Sequence, residues 1–262
     1  MQLTQALRDE YDKLFSACAI RPDRAAVVES TVQALLGSKD RYTAVADQAG
    51  VPWQIVAVIH NMEGSRNFST HLHNGDPLDA RTRHEPPNRP ASGSPPFTWE
   101  ESAVDALRLK NMHKWTDWTV PGSLFKLEGY NGWGYRRHHP HVLTPYLWSH
   151  SNHYASGKYV ADGRFSDTAV SQQTGAAVLL RRLAERNEIA FAADPGIILP
   201  AADAPALRYA PDAPSEDGRR LQAFLNTFPG VHVKEDGYLG PRTSEALRKV
   251  TGSRLHGDPQ EG

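Results

Sequence analysis

Pro52-Trp-Gln-Ile-Val-Ala-Val-Ile-His-Asn-Met-Glu63 reads as a helix that ends on an acid. Ile55, Ile59, Met62 and Glu63 fall at helical spacing on one side, with Glu63 four residues beyond Ile59. The sequence therefore predicts a carboxylate on a stripe that faces the core, where such groups are rare. Partial desolvation disfavours the ionised form and raises the pKa, which equips a carboxylic acid to donate a proton near neutral pH. The ordinary alternative is a helix-terminal Glu paired with Arg66.

Outward from this segment, helical spacing recurs in Val28, Val32, Leu35 and Leu36, and again from Trp99 through Ala103, Ala106, Leu107 and Trp115. Thr98 and Glu101 make a capping box for the latter. Residues 171–187 repeat the pattern through Val178, Leu179 and Leu183, so the fold class is expected to be mainly α. Residues 64–97 contain Asn-Gly-Asp-Pro and five prolines after Pro77. A connection of that length inside a domain is usually functional or disordered.

From Asp194 to Ser215 a proline recurs every few residues without helical or alternating period, which reads as a linker. The expected organisation is a large domain at 1–192, a linker at 193–215 and a small module at 216–262. The 262 residues, 39% of them hydrophobic, suffice for a packed core, and a formal net charge of -1 offers no global field for nucleic acid. Arg136, Arg137, His138, His139 and His141 form a local basic cluster.

Cys18 is the single cysteine and sits in an apolar stretch, so no internal disulfide is expected and Cys18 is read as core. No apolar run is long enough to span a bilayer. Charges in the first ten residues stand where a signal peptide carries its apolar segment. The expectation is a monomeric chain made in the cytoplasm, without membrane insertion.

Two local clusters carry chemistry. His71-Leu-His-Asn-Gly-Asp76-Pro is a turn that presents Asp76, and Glu63 with Asp76 matches the paired carboxylates of glycosidic bond hydrolysis. Asp between Gly and Pro is also an ordinary turn former, and Asp79 and Glu85 compete on the same loop. Leu127-Glu-Gly-Tyr130-Asn131-Gly-Trp133-Gly-Tyr135 alternates aromatic, amide and glycine residues, with Tyr146, Trp148 and Tyr154 following. Rings that stack on sugar faces and glycines that admit a ligand make this the composition of a carbohydrate cleft, against a glycine-rich turn with core aromatics.

Met62-Glu-Gly-Ser65 and Gly129-Tyr-Asn-Gly132 resemble the two short motifs of the goose-type lysozyme and lytic transglycosylase superfamily. More closely, residues 59–78 and 151–163 are similar to phage endolysins and lysozyme-like muramidases. The resemblance covers most of residues 45–190. It implies a lysozyme-like helical domain, with a small β-hairpin admitted, that cleaves the glycan strand of bacterial peptidoglycan. Within it Glu63 is the general acid, Asp76 the group that positions or activates water, and Ser65, Tyr130, Asn131, Trp133 and Tyr135 the substrate-binding residues. Gly64 departs from the family, where Ser often follows the Glu, and the Gly-Leu-Met-Gln stretch of transglycosylases is absent, so the resemblance leans toward hydrolysis.

The C-terminal module resembles a small three-helix peptidoglycan-binding domain through Leu221-Gln-Ala-Phe-Leu225 and Glu235-Asp-Gly-Tyr-Leu-Gly-Pro-Arg-Thr243. Asp236, Tyr238, Arg242 and Thr243 are its implied wall-binding residues. No cofactor or metal is expected. The competing chemistry is a zinc-dependent wall amidase or endopeptidase, from the His60-x-x-Glu63 spacing with His71, His73 or His84. The competing function without chemistry is a wall-binding protein of the same fold.

Overall fold

A computed structural model describes residues 1–161, 163–192, 207–228 and 231–260. The chain divides into two units, Met1–Ala193 and Asp194–Gly262. The first is mainly helical. Its described elements are α1 (Gln5–Ser16), α2 (Ala25–Gly37), α3 (Lys39–Ala49), α4 (Trp53–Gly64), α5 (Trp99–Leu109), α6 (Val120–Asn131), α7 (Gly134–His138), α8 (Pro145–Trp148) and α9 (Ala176–Glu185). A single antiparallel hairpin, β1 (Lys158–Ala161) and β2 (Arg164–Ser166), pairs Lys158 with Ser166 and Tyr159 with Phe165.

Helix α4 is the central element, packed by α3, α6 and α9. Every residue from Gln54 to Asn61 is buried, and Ile55 through Ile59 are wholly inaccessible. A helix that is apolar on all sides has no polar face to keep in water, so its burial is set by total hydrophobicity rather than by a stripe. This corrects the expected core-facing stripe: the buried run stops at Asn61, and Glu63 projects from the open end of the helix. Truncating Ile59 to Ala would leave a cavity costing about 2–5 kcal/mol.

The capping box before α5 is present in both directions: Thr98 Oγ1 accepts from Glu101 N at 3.2 Å and Glu101 Oε2 accepts from Thr98 N at 2.7 Å. This helix ends at Leu109, short of Trp115. Cys18 is a buried free thiol. Among the described residues no helix is long and apolar enough to cross a membrane.

In the second unit Ser215 caps α10 (Glu216–Leu225), its Oγ accepting from Gly218 N at 2.9 Å, and Gly240-Pro241 opens α11 (Pro241–Thr251). The described residues of this unit hold two helices rather than the expected three. Outside the helices the described residues of this unit form turns and isolated bridges, Arg208 with His256 and Ala210 with Leu239. Residues 193–206 of the expected linker lie outside the described residues. Residues 207–215 belong to the folded unit, where Tyr209 N bonds His256 O at 2.9 Å and Ser215 N bonds Gly237 O at 3.0 Å. Proline spacing hides this packing, because the residues between prolines keep amide donors that a neighbouring backbone can satisfy.

Candidate active site

The end of α4 is made by backbone that stops turning directly after the acid. Ser65 and Arg66 both have positive φ, 48° and 64°, and the Arg66 amide donates back to His60 O at 3.2 Å. Gly64 has a packing reason: a Cβ there would stand 3.0 Å from the His60 ring. The Arg66 guanidinium turns to Asn61 Oδ1. Glu63 therefore has no ion-pair partner among the described residues, and the pairing with Arg66 does not occur.

Glu63 Oε1 instead accepts from the Tyr146 hydroxyl at 2.9 Å. Tyr146 lies in α8, a short helix started by Pro145 and capped by Thr144, whose Oγ1 accepts from Tyr146 N at 3.3 Å. Glu63 as a residue is open to solvent, but its carboxyl is crowded by surrounding protein. That desolvation raises its pKa, opposed by the Tyr146 hydrogen bond and by the charge of Lys110. Tyr130, in the last turn of α6, is close enough for the Glu63 charge to add to the burial that raises its own pKa. Burial first, then Glu63 and Tyr130, hold the Tyr146 phenol far above the ordinary range, so it stays a proton donor to the carboxyl.

A groove of about 350 Å³ opens beside this cluster. Met62, the neighbour of Glu63, and Tyr146, its hydrogen-bond partner, both line it, together with Asn131, Tyr135, Tyr159 and Gln173. Gln173 Nε2 donates to Asn61 O at 2.9 Å and Met62 O at 2.8 Å, closing carbonyls left open at the end of α4. Lys158, at the start of β1, is the one charged residue in the lining. Tyr135 supports the hairpin side of the groove: its hydroxyl accepts from Tyr159 N at 3.3 Å and its ring meets Tyr159 edge-on.

Of the residues expected at the site, Glu63 and Tyr130 interact beside the groove without lining it, and Asn131 and Tyr135 line it. Trp133 packs on Phe125 and over Gly129, in a separate hollow. Ser65 is exposed on the turn after α4 and is absent from the lining. Asp76 is likewise absent from it. Its carboxylate is occupied by its own loop, accepting from Arg83 N at 2.7 Å, His84 N at 3.0 Å and Asn74 Nδ2 at 3.2 Å, with His84 Nδ1 at 2.6 Å. These bonds, His84 first, hold its pKa well below the usual carboxylate range. A carboxylate so stabilised is a weak base, and its evident work is to fold residues 71–84.

The histidines expected of a zinc site have other partners. His60 packs in a cluster with the rings of Trp99 and Phe68, centroids 4.4 Å and 4.6 Å away, with Tyr42 OH and Asn67 O at its nitrogens. His71 meets Ser102 and Ala80 O, His73 meets Asp105 and Ser102, and His84 meets Asp76. Among the described residues no three His, Cys, Asp or Glu side chains converge as metal ligands. The donor set does not fit zinc.

In the second unit Asp236 and Thr243 are bound into a network around Gln222, whose Nε2 reaches Asp236 Oδ1 at 3.0 Å and Thr243 Oγ1 at 3.2 Å while its Oε1 accepts from Gly237 N at 2.7 Å. Tyr238 and Arg242 are exposed. Sequence reasoning missed Gln222, Gln173, Lys158 and the individual role of Tyr146. Only Tyr146 carried a signal, as one member of an aromatic cluster. Comparison with protein-family models, curated proteins and solved structures finds no match to this chain.

Proposed function

We propose that the chain is a peptidoglycan glycosidase, an N-acetylmuramidase that cuts the glycan strand, with Glu63 as general acid. The observation that carries this reading is an acid with no ion-pair partner among the described residues, its pKa raised by burial, held by a neutral Tyr146 hydroxyl at the side of a polar, aromatic groove. Protonated Glu63 gives its proton to the bridging oxygen as the bond from that oxygen to the anomeric carbon breaks, leaving positive charge on the sugar. Tyr146 steadies the carboxylate that results. Tyr135 and Tyr159 form the aromatic wall beside which the sugar would lie, and Asn131 offers an amide to its hydroxyl or acetamido groups. Water then attacks the anomeric carbon and ionised Glu63 takes up its proton, giving hydrolysis. The second unit is the wall-binding module, with Tyr238 and Arg242 as its exposed contacts.

One observation favours a second reading. The groove lining contains no carboxylate, Glu63 standing beside it through Met62 and Tyr146, and a hydroxyl of the cleaved sugar can attack the anomeric carbon from within the molecule with Glu63 alone serving as acid and then base. That is lytic transglycosylation, and it releases an anhydro sugar. Incubating purified sacculi with the full chain and identifying the fragments by mass spectrometry tests both readings, because a reducing end and an anhydro end differ by one water. Glu63→Gln is expected to lower fragment release by at least about two orders of magnitude with the fold intact. Near-normal release by that variant would remove the proposal.

A further inference from the structure

Tyr130 lines a second hollow of about 180 Å³, room on the scale of a single sugar ring. Lys110, Lys126, Phe125, Gly129, Tyr130 and Trp133 contribute to its lining, which contains no carboxylate. Lys110 Nζ stands 5.2 Å from the Tyr130 ring centre, and Lys126 Nζ stands 5.4 Å from that of Trp115. Neither ammonium forms an ion pair with an acid among the described residues. Elsewhere the first unit pairs its part-buried cations closely, as Arg136 does with Glu128 at 2.8 Å.

We infer that this hollow is a subsite for a sugar unit bearing a carboxylate, with Lys110 and Lys126 as its anion-binding pair and Trp133 and Tyr130 as its ring platform. The inference rests on the glycosidase reading for its occupant, the lactyl-ether carboxylate of a muramic acid unit. Three features point the same way. Two lysines lining one hollow that holds no carboxylate attract an anion more strongly than a neutral sugar, and more so where water is partly excluded. Burial with no compensating acid lowers the Lys126 pKa, so an incoming carboxylate would relieve an unfavourable ammonium. The hollow is also joined to the reacting acid: Tyr130 lines it and senses the Glu63 charge, and Lys110 lines it and lowers the Glu63 pKa. A bound anion would shield Lys110 and let the Glu63 pKa rise, coupling substrate recognition to the proton donor.

The test is a fluorescence titration of the full chain with two disaccharides of equal size, N-acetylglucosaminyl-N-acetylmuramic acid and the neutral di-N-acetylchitobiose. The acidic sugar is expected to bind about tenfold more tightly at low ionic strength, with the advantage shrinking in high salt. Lys126→Met and Lys110→Met should each remove most of the advantage without changing affinity for the neutral sugar, and Lys126→Arg should keep it. The methyl ester of the acidic disaccharide, titrated against the unaltered chain, should bind like chitobiose, which frees the test from any variant that fails to fold. Equal affinities for the two sugars, an advantage that survives esterification, or one that survives in both Met variants overturns the inference. Binding needs no turnover, so the two ideas fail separately. Loss of the preference with Glu63-dependent cleavage intact sinks only the subsite, while a preference without wall cleavage sinks only the glycosidase reading.

Discussion

The Tyr146 hydroxyl and Glu63 Oε1 meet at 2.9 Å across 83 residues of sequence. The bond favours the ionised carboxylate, while burial, the larger influence, favours the protonated one. Removing the hydroxyl therefore moves the Glu63 pKa up. Tyr146→Phe keeps the ring and loses the bond, and since the proposed mechanism needs protonated Glu63, the fall of kcat/KM with rising pH should shift to higher pH by about 0.4–1 unit. A pH profile of fragment release checks it. An unmoved or downward-shifted limb would show that Tyr146 does not act on the acid.

Asp76 gives a second discriminating variant. Its carboxylate organises the 71–84 loop through Arg83, His84 and Asn74, so Asp76→Asn should speed amide exchange and proteolytic nicking in residues 71–97 and leave measurable turnover. Abolished turnover with unchanged loop protection would instead make Asp76 the group that activates water.

His60 predicts an acid limit to stability. Burial among Trp99, Phe68 and Tyr42 pushes its pKa down from 6.5 to about 4. The unfolded chain takes up the proton first as pH falls, so the contribution is complete above about pH 6.5 and is lost progressively toward pH 4, by about 3 kcal/mol in all. Urea unfolding at neutral, mildly acidic and more acidic pH measures the slope. In His60→Gln that part of the slope should vanish, and an unchanged slope would place the acid sensitivity elsewhere, His73 and His150 being the other imidazoles whose pKa burial lowers.

If the second unit holds the wall as proposed, its surface and its internal network can be tested apart. Tyr238 is 42% exposed and Arg242 is also exposed, so Tyr238→Ala and Arg242→Ala should weaken retention on sacculi by about tenfold with little change in thermal unfolding. Gln222→Ala, which strips the network joining Asp236, Gly237 and Thr243, should reduce retention and stability together. Full retention by both surface variants would move the wall contact to another face.

The α4 segment, the capping box at Thr98 and Glu101, and the mainly helical class were legible because each depends on neighbours within a turn or two of helix, where spacing and side-chain type determine the outcome. The acid at the end of α4 was legible for the same reason. Gly64 carried no such message, since its reason is the ring of His60 pressed against it. The Gly129-Tyr130-Asn131 stretch, read as a glycine-rich turn or cleft, is the last turn of α6, where packing on α1 and α8 outweighs the low helix propensity of glycine.

Sequence by itself determined that a carboxylate stands at the end of an apolar helix, since an ionisable group shortly after an apolar run is visible without coordinates. Tertiary structure alone decided what state that acid is in. Its desolvation, the Tyr146 hydroxyl, the charge of Lys110 and the diversion of Arg66 to Asn61 are all sums over groups distant in the chain or oriented by it. Asp76 shows the same division in reverse: sequence marked it as an available carboxylate, and folding spent its lone pairs on the loop that carries it. Proton affinity is a property of surroundings, and surroundings exist only once the chain has closed on itself.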